Sequence, residues 1–202
     1  VASATDSSLS VIDISNPASP VEMGTIKDNS GGGTATQLDG ASAVSVAGKY
    51  AYVTASSDDS LSVFDISNPT SITEVGTIKD GTGATQLDGA WGVAVVGNYA
   101  YVTSNNDDSL SVINISNPAS PIEVGTIKDG VGANQLDGAT AIAVVGKYAY
   151  VASFFDDSLS IIDISNPASP SEVGTAKDGV SGFTQLDGAD AVTVVGKYAY
   201  VT

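Results

Sequence analysis

The sequence predicts an all-β fold: a β-propeller built of four-stranded antiparallel blades. Three observations predict it. A unit of about 49 residues occurs four times, each unit contains four short strand patterns, and no window shows the 3.6-residue apolar period of a helix. One four-stranded sheet cannot bury both of its faces alone, so repeated sheets are expected to stack around an axis as blades.

The repeat is defined by a ten-residue segment, first seen as Ser-Leu-Ser-Val-Ile-Asp-Ile-Ser-Asn-Pro. Its copies begin at Ser8, Ser60, Ser109 and Ser158. Within the unit of about 49 residues, Val1 aligns with Val53, and Val201 begins a fifth copy of that unit. The repeats therefore predict a single domain over residues 1–202, a propeller or half-propeller whose ends fall within a blade.

The unit that follows Gly89 shows how each strand is predicted. Its four strands are expected at Ala90–Val96, Tyr99–Thr103, Ser109–Ile115 and about Ile122–Ile127. Val, Ile, Tyr and Thr fill these segments, as sheet packing favours. Turn residues separate them: Gly97 ends the first strand, a polar run follows the second, and Pro118, which lacks an N–H, follows the third. The Gly-rich stretch 129–138 is predicted as a loop.

The composition excludes several classes of function. The chain has 23 acidic against 7 basic residues, a net charge of -16, which repels nucleic acid and anionic membrane surfaces. It has no Cys and no His, which excludes Cys proteases, Cys/His zinc sites and His-based catalysis. No apolar run approaches the ~20 residues of a membrane span. The sequence thus predicts no enzyme activity, no nucleic-acid partner and no membrane insertion.

The repeated units resemble the LVIVD repeat of bacterial and archaeal proteins. The residues that carry the resemblance are Leu9–Asp13, Leu61–Asp65, Leu110–Asn114 and Leu159–Asp163, with the Ile-Ser-Asn-Pro that follows and the Tyr-Ala-Tyr-Val that precedes. The resemblance implies a propeller fold and a secreted or surface-attached protein, hence an extracellular or cell-surface location. It supplies no catalytic residues, because the family has none in common. Asn114 departs from the Asp of the pattern.

The blade number is open between two arrangements. Four strongly wedged blades could close as a monomer. Two chains could instead form an eight-bladed homodimer with a two-fold axis along the channel, in which each seam blade is built from both subunits. Propellers of the resembled repeat have more often six to eight blades, so the dimer is favoured.

Acidic residues concentrate in the loop between the second and third strands of each unit. Blade topology places this loop on the same face as the segment leading to the next blade, so one ring face is predicted to be strongly acidic. Lys49, Lys147 and Lys197 are expected on the opposite face, with Asn98 in the odd copy. The candidate ligands for Ca²⁺ are Asp58, Asp59, Asp107, Asp108, Asp156 and Asp157. Because no calcium motif is present, solvated turn acids are the favoured reading and no cofactor is expected.

Three hypotheses of function follow. The favoured one is a non-catalytic structural or interaction module that binds a protein or glycan on one ring face. Trp91, Phe154 and Phe155, which vary among the copies, are its candidate partner surface. The second is a metal-dependent hydrolase of lactonase type, for which Asp190 is a lone channel-facing acid. The third is a repeat fragment or engineered segment without an activity of its own.

Overall fold

The computed structural model describes the backbone of residues 1–202 and the side-chain surroundings of every residue except 31. Nearly all of its regular structure is β, as the sequence predicted. A short 3-10 turn, Asn29–Gly31, is the one helical element within the described part of the chain. Among those residues, no helix is long and apolar enough to cross a membrane.

The strands form five consecutive sheets. The N-terminal half-blade contains β1 (Ala2–Ser3), β2 (Ser8–Asp13) and β3 (Val21–Lys27). The first blade contains β4 (Ala41–Ala47), β5 (Tyr50–Ala55), β6 (Ser60–Asp65), β7 (Thr73–Asp80) and β8 (Gly83–Ala84). The second blade contains β9 (Ala90–Val96), β10 (Tyr99–Ser104), β11 (Ser109–Asn114), β12 (Ile122–Asp129) and β13 (Gly132–Ala133). The third blade contains β14 (Ala139–Val145), β15 (Tyr148–Ser153), β16 (Ser158–Asp163) and β17 (Ser171–Lys177). The C-terminal half-blade contains β18 (Val192–Val195) and β19 (Tyr198–Val201).

The second blade confirms the four predicted antiparallel strands. The first strand has the predicted bounds, and the others differ by one or two residues at their ends. The short strands β8 and β13 lie in Gly-rich segments for which the sequence predicts only loops. Each pairs in parallel with the end of the strand before it, and in the second blade Lys128 lies opposite Gly132. Gly130, with φ 69°, makes this sharp reversal in the left-handed region that favours glycine.

The hydrophobic core lies between neighbouring sheets rather than inside any one of them. Between the second and third blades, Leu110 and Val112 of one sheet join Val151 and Ile162 of the next in a single buried cluster. An equivalent cluster joins the first and second blades, and a third joins the N-terminal half-blade to the first. The inner strands β4, β9, β14 and β18 face one another in sequence along the arc. Each blade is therefore stabilised by its neighbours.

A register shift recurs between the third and fourth strands of every blade. In the second blade it falls between Val112 and Ile113, opposite Gly125. A side chain at Gly125 would overlap the carbonyl oxygen of Pro167, which belongs to the turn after β16 in the next blade. Glycine is therefore needed here for close approach of two backbones, and this contact sets how tightly adjacent blades pack.

Candidate functional site

The loops that carry the acidic pairs lie against the segments that lead into each blade. We call the face formed by these loops the acidic face. The Oδ2 atom of Asp58 accepts a hydrogen bond of 2.7 Å from the backbone N–H of Asp39. The same contact joins Asp107 to Asp88 at 2.9 Å and Asp156 to Asp137 at 2.8 Å. These bonds hold the two kinds of acidic loop together, as the sequence predicted for one face.

The first Asp of each pair also meets a lysine on this face. Lys128 Nζ lies 3.5 Å from Asp107 Oδ1, and Lys177 Nζ lies 2.9 Å from Asp156 Oδ1. These lysines lie at or one residue before the end of the fourth strands, where antiparallel pairing sets Lys128 opposite Ser109 at the start of β11. The prediction had considered lysines only on the opposite face, because it did not include the register of the fourth strand. The acidic face is thus partly neutralised.

The second Asp of each pair links one blade to the next. Asp108 has φ 53°, a left-handed conformation that Asp adopts more readily than most residues. Its Oδ1 accepts the N–H of Gly138 at 2.9 Å, and its carbonyl oxygen accepts the N–H of Asp129 at 2.8 Å. Asp59 and Asp157 make the same side-chain bond to Gly89 and Gly188, at 3.0 and 2.8 Å.

A third acidic position orders the Gly-rich segment between blades. Asp129 Oδ1 accepts the N–H of Leu136 at 3.1 Å, across the turn that contains β13. The equivalent bonds go from Leu38 to Asp28, Leu87 to Asp80 and Leu186 to Asp178. Each of these leucines except Leu186 is fully buried, so the carboxylate satisfies a donor that water does not reach.

The six candidate calcium ligands are spread as pairs over three blades and are not brought together. Each accepts a hydrogen bond from a backbone N–H, as given above. Within the described residues, no group of three or more Asp or Glu side chains is arranged to hold a metal ion. The expectation that no cofactor is bound stays a prediction, with Ca²⁺ as its alternative, and these residues have a structural use that the sequence did not specify.

Carboxylates on both faces have perturbed pKa values, and on the acidic face the direction varies: the effect of burial is outweighed by hydrogen bonds from Ser30, which lower the pKa of Asp28. Burial raises the pKa of Asp58 on the acidic face, and the charges of Asp28 and Asp39 add to the rise. Partial desolvation raises the pKa of Asp137 although this residue is exposed, and the charges of Asp108 and Asp156 add to the rise. On the opposite face, hydrogen bonds from Ser67 and then the Lys49 ammonium lower the pKa of Asp65 to about 2.

On the opposite face, a lysine in the turn after the first strand forms an ion pair with the aspartate that ends the third strand of the same blade. Lys49 Nζ lies 3.0 Å from Asp65 Oδ2, and Lys147 Nζ lies 2.9 Å from Asp163 Oδ2. In the second blade both partners change together, to Asn98 and Asn114. The two exceptions were visible in the sequence, but their pairing was missed because each was considered by itself. The Asn114 side chain accepts the N–H of Ser116 at 2.9 Å, as the aspartates at this position accept that of their own Ser.

The three candidate partner residues are exposed, as the sequence predicted. Phe154 and Phe155 meet edge to face, with ring centroids 5.3 Å apart, and Phe155 lies against Gly138 on the acidic face. The backbone carbonyl of Trp91 accepts a hydrogen bond of 2.6 Å from Thr54 Oγ1. The indole side chain is the part of this residue that differs from its counterparts in the other copies. Their role in binding stays a prediction.

Asp190, the lone acid of the lactonase hypothesis, lies in the segment before β18 and is exposed. Its backbone N–H donates to the Thr202 carbonyl at 2.8 Å. The equivalent hydroxyls in two other copies donate to backbone carbonyls: Ser42 to Ala90 at 3.0 Å and Thr140 to Ala152 at 3.1 Å. This position in the repeat therefore serves strand contacts in those copies.

Comparison with known proteins identifies the repeat. A model of the LVIVD repeat matches five segments, residues 3–28, 40–80, 89–129, 138–178 and 188–202, which together make up most of the chain. A search of curated proteins finds no sequence match.

Solved structures share the fold at low identity. The computationally designed Ika8 protein is similar with a TM-score of 0.65 and 11% identity, over 97% of this chain and 49% of that one. A Bacteroides fragilis protein proposed to be a 6-phosphogluconolactonase has a TM-score of 0.71 and 17% identity, over 96% and 57%. The periplasmic gluconolactonase of Pseudomonas aeruginosa has a TM-score of 0.65 and 15% identity, over 88% and 51%. The chain thus spans about half the length of these proteins.

Proposed function

The chain belongs to the LVIVD repeat family, and we propose that it is a non-catalytic interaction module that binds a protein partner through its acidic face. The observation that supports this is the contrast between the repeated carboxylates of that face and the exposed aromatic residues that vary among the copies. The repeated carboxylates are engaged in holding loops together within a blade and between blades. Trp91, Phe154 and Phe155 differ from their counterparts in the other copies and expose apolar surface. Residues repeated in every blade serve the blade, so specificity is sought where the copies differ.

The chemistry of the partner follows from this surface. Exposed Trp and Phe side chains have the character of interface hot spots, which bury large area at little cost in side-chain entropy. A net charge of -16 favours a partner with a basic rim and speeds its association at low salt. A basic protein is therefore the proposed ligand class, and a glycan is the alternative to be tested beside it.

The proposed setting is outside the cell or on its surface. A strongly acidic protein without cysteine remains soluble there and does not depend on the redox state of its surroundings. Fractionation of cells that express the complete gene tests this. Recovery from the medium or the envelope is expected, and recovery in the cytosol alone would contradict it.

The test of binding uses a variant in which the aromatics are replaced by residues of other copies. Trp91→Ser, Phe154→Asn and Phe155→Asn copy Ser42, Asn105 and Asn106, so the fold is expected to tolerate all three. Wild type and variant are compared by surface plasmon resonance against basic envelope proteins of the source, and on a glycan array. A basic protein that binds wild type at least tenfold more tightly supports the proposal. Equal binding by both proteins would reject it.

The lactonase hypothesis is tested on the same preparation. Hydrolysis of gluconolactone and of 6-phosphogluconolactone is measured with and without added Ca²⁺, for wild type and for Asp190→Asn. Rates equal to the uncatalysed reaction are expected for both proteins. Hydrolysis that wild type catalyses and Asp190→Asn loses would overturn the non-catalytic assignment.

A further inference from the structure

The segment that leads into each blade contains the sequence Gln-Leu-Asp-Gly-Ala, which occurs four times. Its Asp-Gly pairs begin at Asp39, Asp88, Asp137 and Asp187. An aspartate followed by glycine is prone to cyclise, because glycine has no side chain to hinder attack of its nitrogen on the carboxyl group. We propose that Asp39 is a modification site, at which aspartate converts spontaneously to isoaspartate, while the equivalent aspartates are protected by the fold. This conversion does not depend on the partner binding proposed above.

The reaction needs no reactant other than water. The Gly40 nitrogen forms a bond to Asp39 Cγ, and one carboxyl oxygen leaves as water with the amide proton and a proton from solvent. Water then opens the resulting cyclic imide at either carbonyl group. Opening at the main-chain carbonyl leaves Gly40 joined to Cγ, which is isoaspartate, whereas opening at Cγ restores aspartate. No oxidant, reductant or metal takes part.

In three of the copies a carboxylate of the preceding blade holds the glycine N–H. The pairs are Gly89 with Asp59 at 3.0 Å, Gly138 with Asp108 at 2.9 Å and Gly188 with Asp157 at 2.8 Å. Hydrogen bonds to an ionised acceptor are stronger than those between neutral groups. The nitrogen must give up this proton to attack, so cyclisation in these copies has to break a charge-assisted hydrogen bond.

The first copy lacks this protection. Ser7 stands where the other copies have the second Asp of the pair. Among the side chains that the structure describes, the Gly40 N–H reaches only the Ser7 hydroxyl oxygen, at 3.5 Å. The same hydroxyl donates to Asp39 Oδ1 at 2.7 Å, the oxygen that carries negative charge once the nitrogen has added to Cγ. Ser7 therefore leaves the attacking nitrogen free and stabilises the group that it attacks.

The rest of the turn is the same in the first copy and in the protected ones. The Asp39 N–H donates to Asp58 at 2.7 Å, and the equivalent bonds in the second and third blades measure 2.9 and 2.8 Å. The Gly40 carbonyl oxygen accepts the N–H of Ser56 at 3.0 Å, and the equivalent bonds measure 3.0 and 2.9 Å. The aspartate is exposed to water in all of them. The contact with Ser7 is thus the difference that sets the first copy apart.

Conversion would alter the junction between the N-terminal half-blade and the first blade. Isoaspartate adds one carbon to the main chain beside Gly40, where a Cβ would lie only 2.5 Å from Ser57 Oγ. The close fit of this glycine would therefore be lost. The converted chain also exposes a new α-carboxylate at Asp39, which is the group that isoaspartyl methyltransferases recognise.

The identical local sequences provide a control within the chain. In urea-unfolded protein Asp39, Asp88 and Asp137 are expected to convert at nearly equal rates, because the same five residues surround each. In the folded chain at neutral pH, Asp39 is expected to convert roughly tenfold faster than the other two, the effect of a missing charge-assisted hydrogen bond. Isoaspartate is measured by labelling with an isoaspartyl methyltransferase and is located by electron-transfer fragmentation of peptides. Equal rates at the three sites in folded protein would overturn the proposal.

Exchange of the residue that faces the glycine tests the cause. Ser7→Asp gives the first copy the residue of the others, and φ of 48° at Ser7 is close to the 53° of Asp108, so the fold is expected to tolerate it. Conversion at Asp39 should fall to the rate of Asp88. The reciprocal Asp108→Ser should raise conversion at Asp137.

The rate at Asp88 is the control in both variants, because general loosening of the fold would raise it as well. An unchanged rate at Asp39 in Ser7→Asp would refute the role of Ser7. An unchanged rate at Asp137 in Asp108→Ser, or a rise at Asp88 equal to that at Asp137, would refute protection by the facing carboxylate.

Discussion

The second blade and the two half-blades contain the same residues in different surroundings. Ile113 of the second blade is fully buried, whereas its equivalent Ile12 in β2 is 39% exposed. Tyr101 is 5% exposed, whereas Tyr200 in β19 is 55% exposed. The strand patterns and turn residues are the same in both regions, so the local sequence does not decide burial. Burial depends on whether a neighbouring strand or sheet is present, and the half-blades lack one.

This difference predicts where a substitution will matter most. Side chains of the second blade are packed between two neighbouring sheets, so truncating one of them leaves a cavity. Side chains of the half-blades are already partly in water in this chain, so the same truncation should cost less free energy of unfolding there.

The largest effect is expected from truncating the buried isoleucine. Ile113→Ala should lower the free energy of unfolding by about 2–5 kcal/mol, because it leaves a cavity between two sheets. Ile12→Ala should cost about 1 kcal/mol in dilute solution, since part of the side chain is already in water. Urea unfolding at several protein concentrations measures both. A cost of Ile12→Ala equal to that of Ile113→Ala would contradict the comparison.

A smaller effect is expected at the aspartate that links blades. Asp108→Ala should cost about 2 kcal/mol, from a lost charge-assisted hydrogen bond and from the left-handed backbone. Asp108→Gly adopts the left-handed backbone conformation without strain, so its loss of folding free energy should be about half that of Asp108→Ala. In the N-terminal half-blade Ser7 has φ 48°, and its neutral hydroxyl accepts the equivalent N–H, that of Gly40, at the longer distance of 3.5 Å. Ser7→Gly should therefore cost less than Asp108→Gly in the same urea titration. The reverse order would show that the carboxylate does not strengthen the link.

The blade itself could be predicted from sequence because its signals are local. Turn residues such as Gly97 and Pro118 and the β-branched runs between them placed the strands of the second blade to within two residues. The roles of Asp107 and Asp108 could not be predicted, because both depend on residues that only the assembled loops bring near, Asp88 in the same blade and Gly138 in the next. A charge count showed where the acids would lie and nothing about what they bind.

The same reason explains what was missed at the fourth strand. A register shift opposite Gly125 and the short strand β13 both arise from contacts between segments that carry no distinctive pattern. The position of Lys128 beside Asp107 follows from that register, so the partial neutralisation of the acidic face was also missed. The paired change to Asn98 and Asn114 was the one long-range signal that the repeat itself contained.

The pH dependence of stability compares the two faces. The pKa of Asp65 and that of Asp163 are lowered from 3.8 to about 2 in the folded state, mainly by hydrogen bonds from Ser67 and Ser165. A depressed carboxyl pKa stabilises the fold above the unfolded value, so this contribution should be lost as the pH falls from about 4 to about 2. Asp65→Asn should show a smaller loss over that range in urea titrations. An unchanged pH profile would exclude Asp65 as a source of acid sensitivity.

Asp58 and Asp137 should act in the opposite direction. Burial raises the pKa of each, so the folded state takes up a proton more readily than the unfolded state and gains stability as the pH falls toward that raised value. Asp137→Asn should remove this gain and make wild type and variant converge at low pH. Urea midpoints measured from pH 7 down to pH 4 would reveal it. A difference in stability between wild type and Asp137→Asn that stays the same from pH 7 to pH 4 would contradict the assignment.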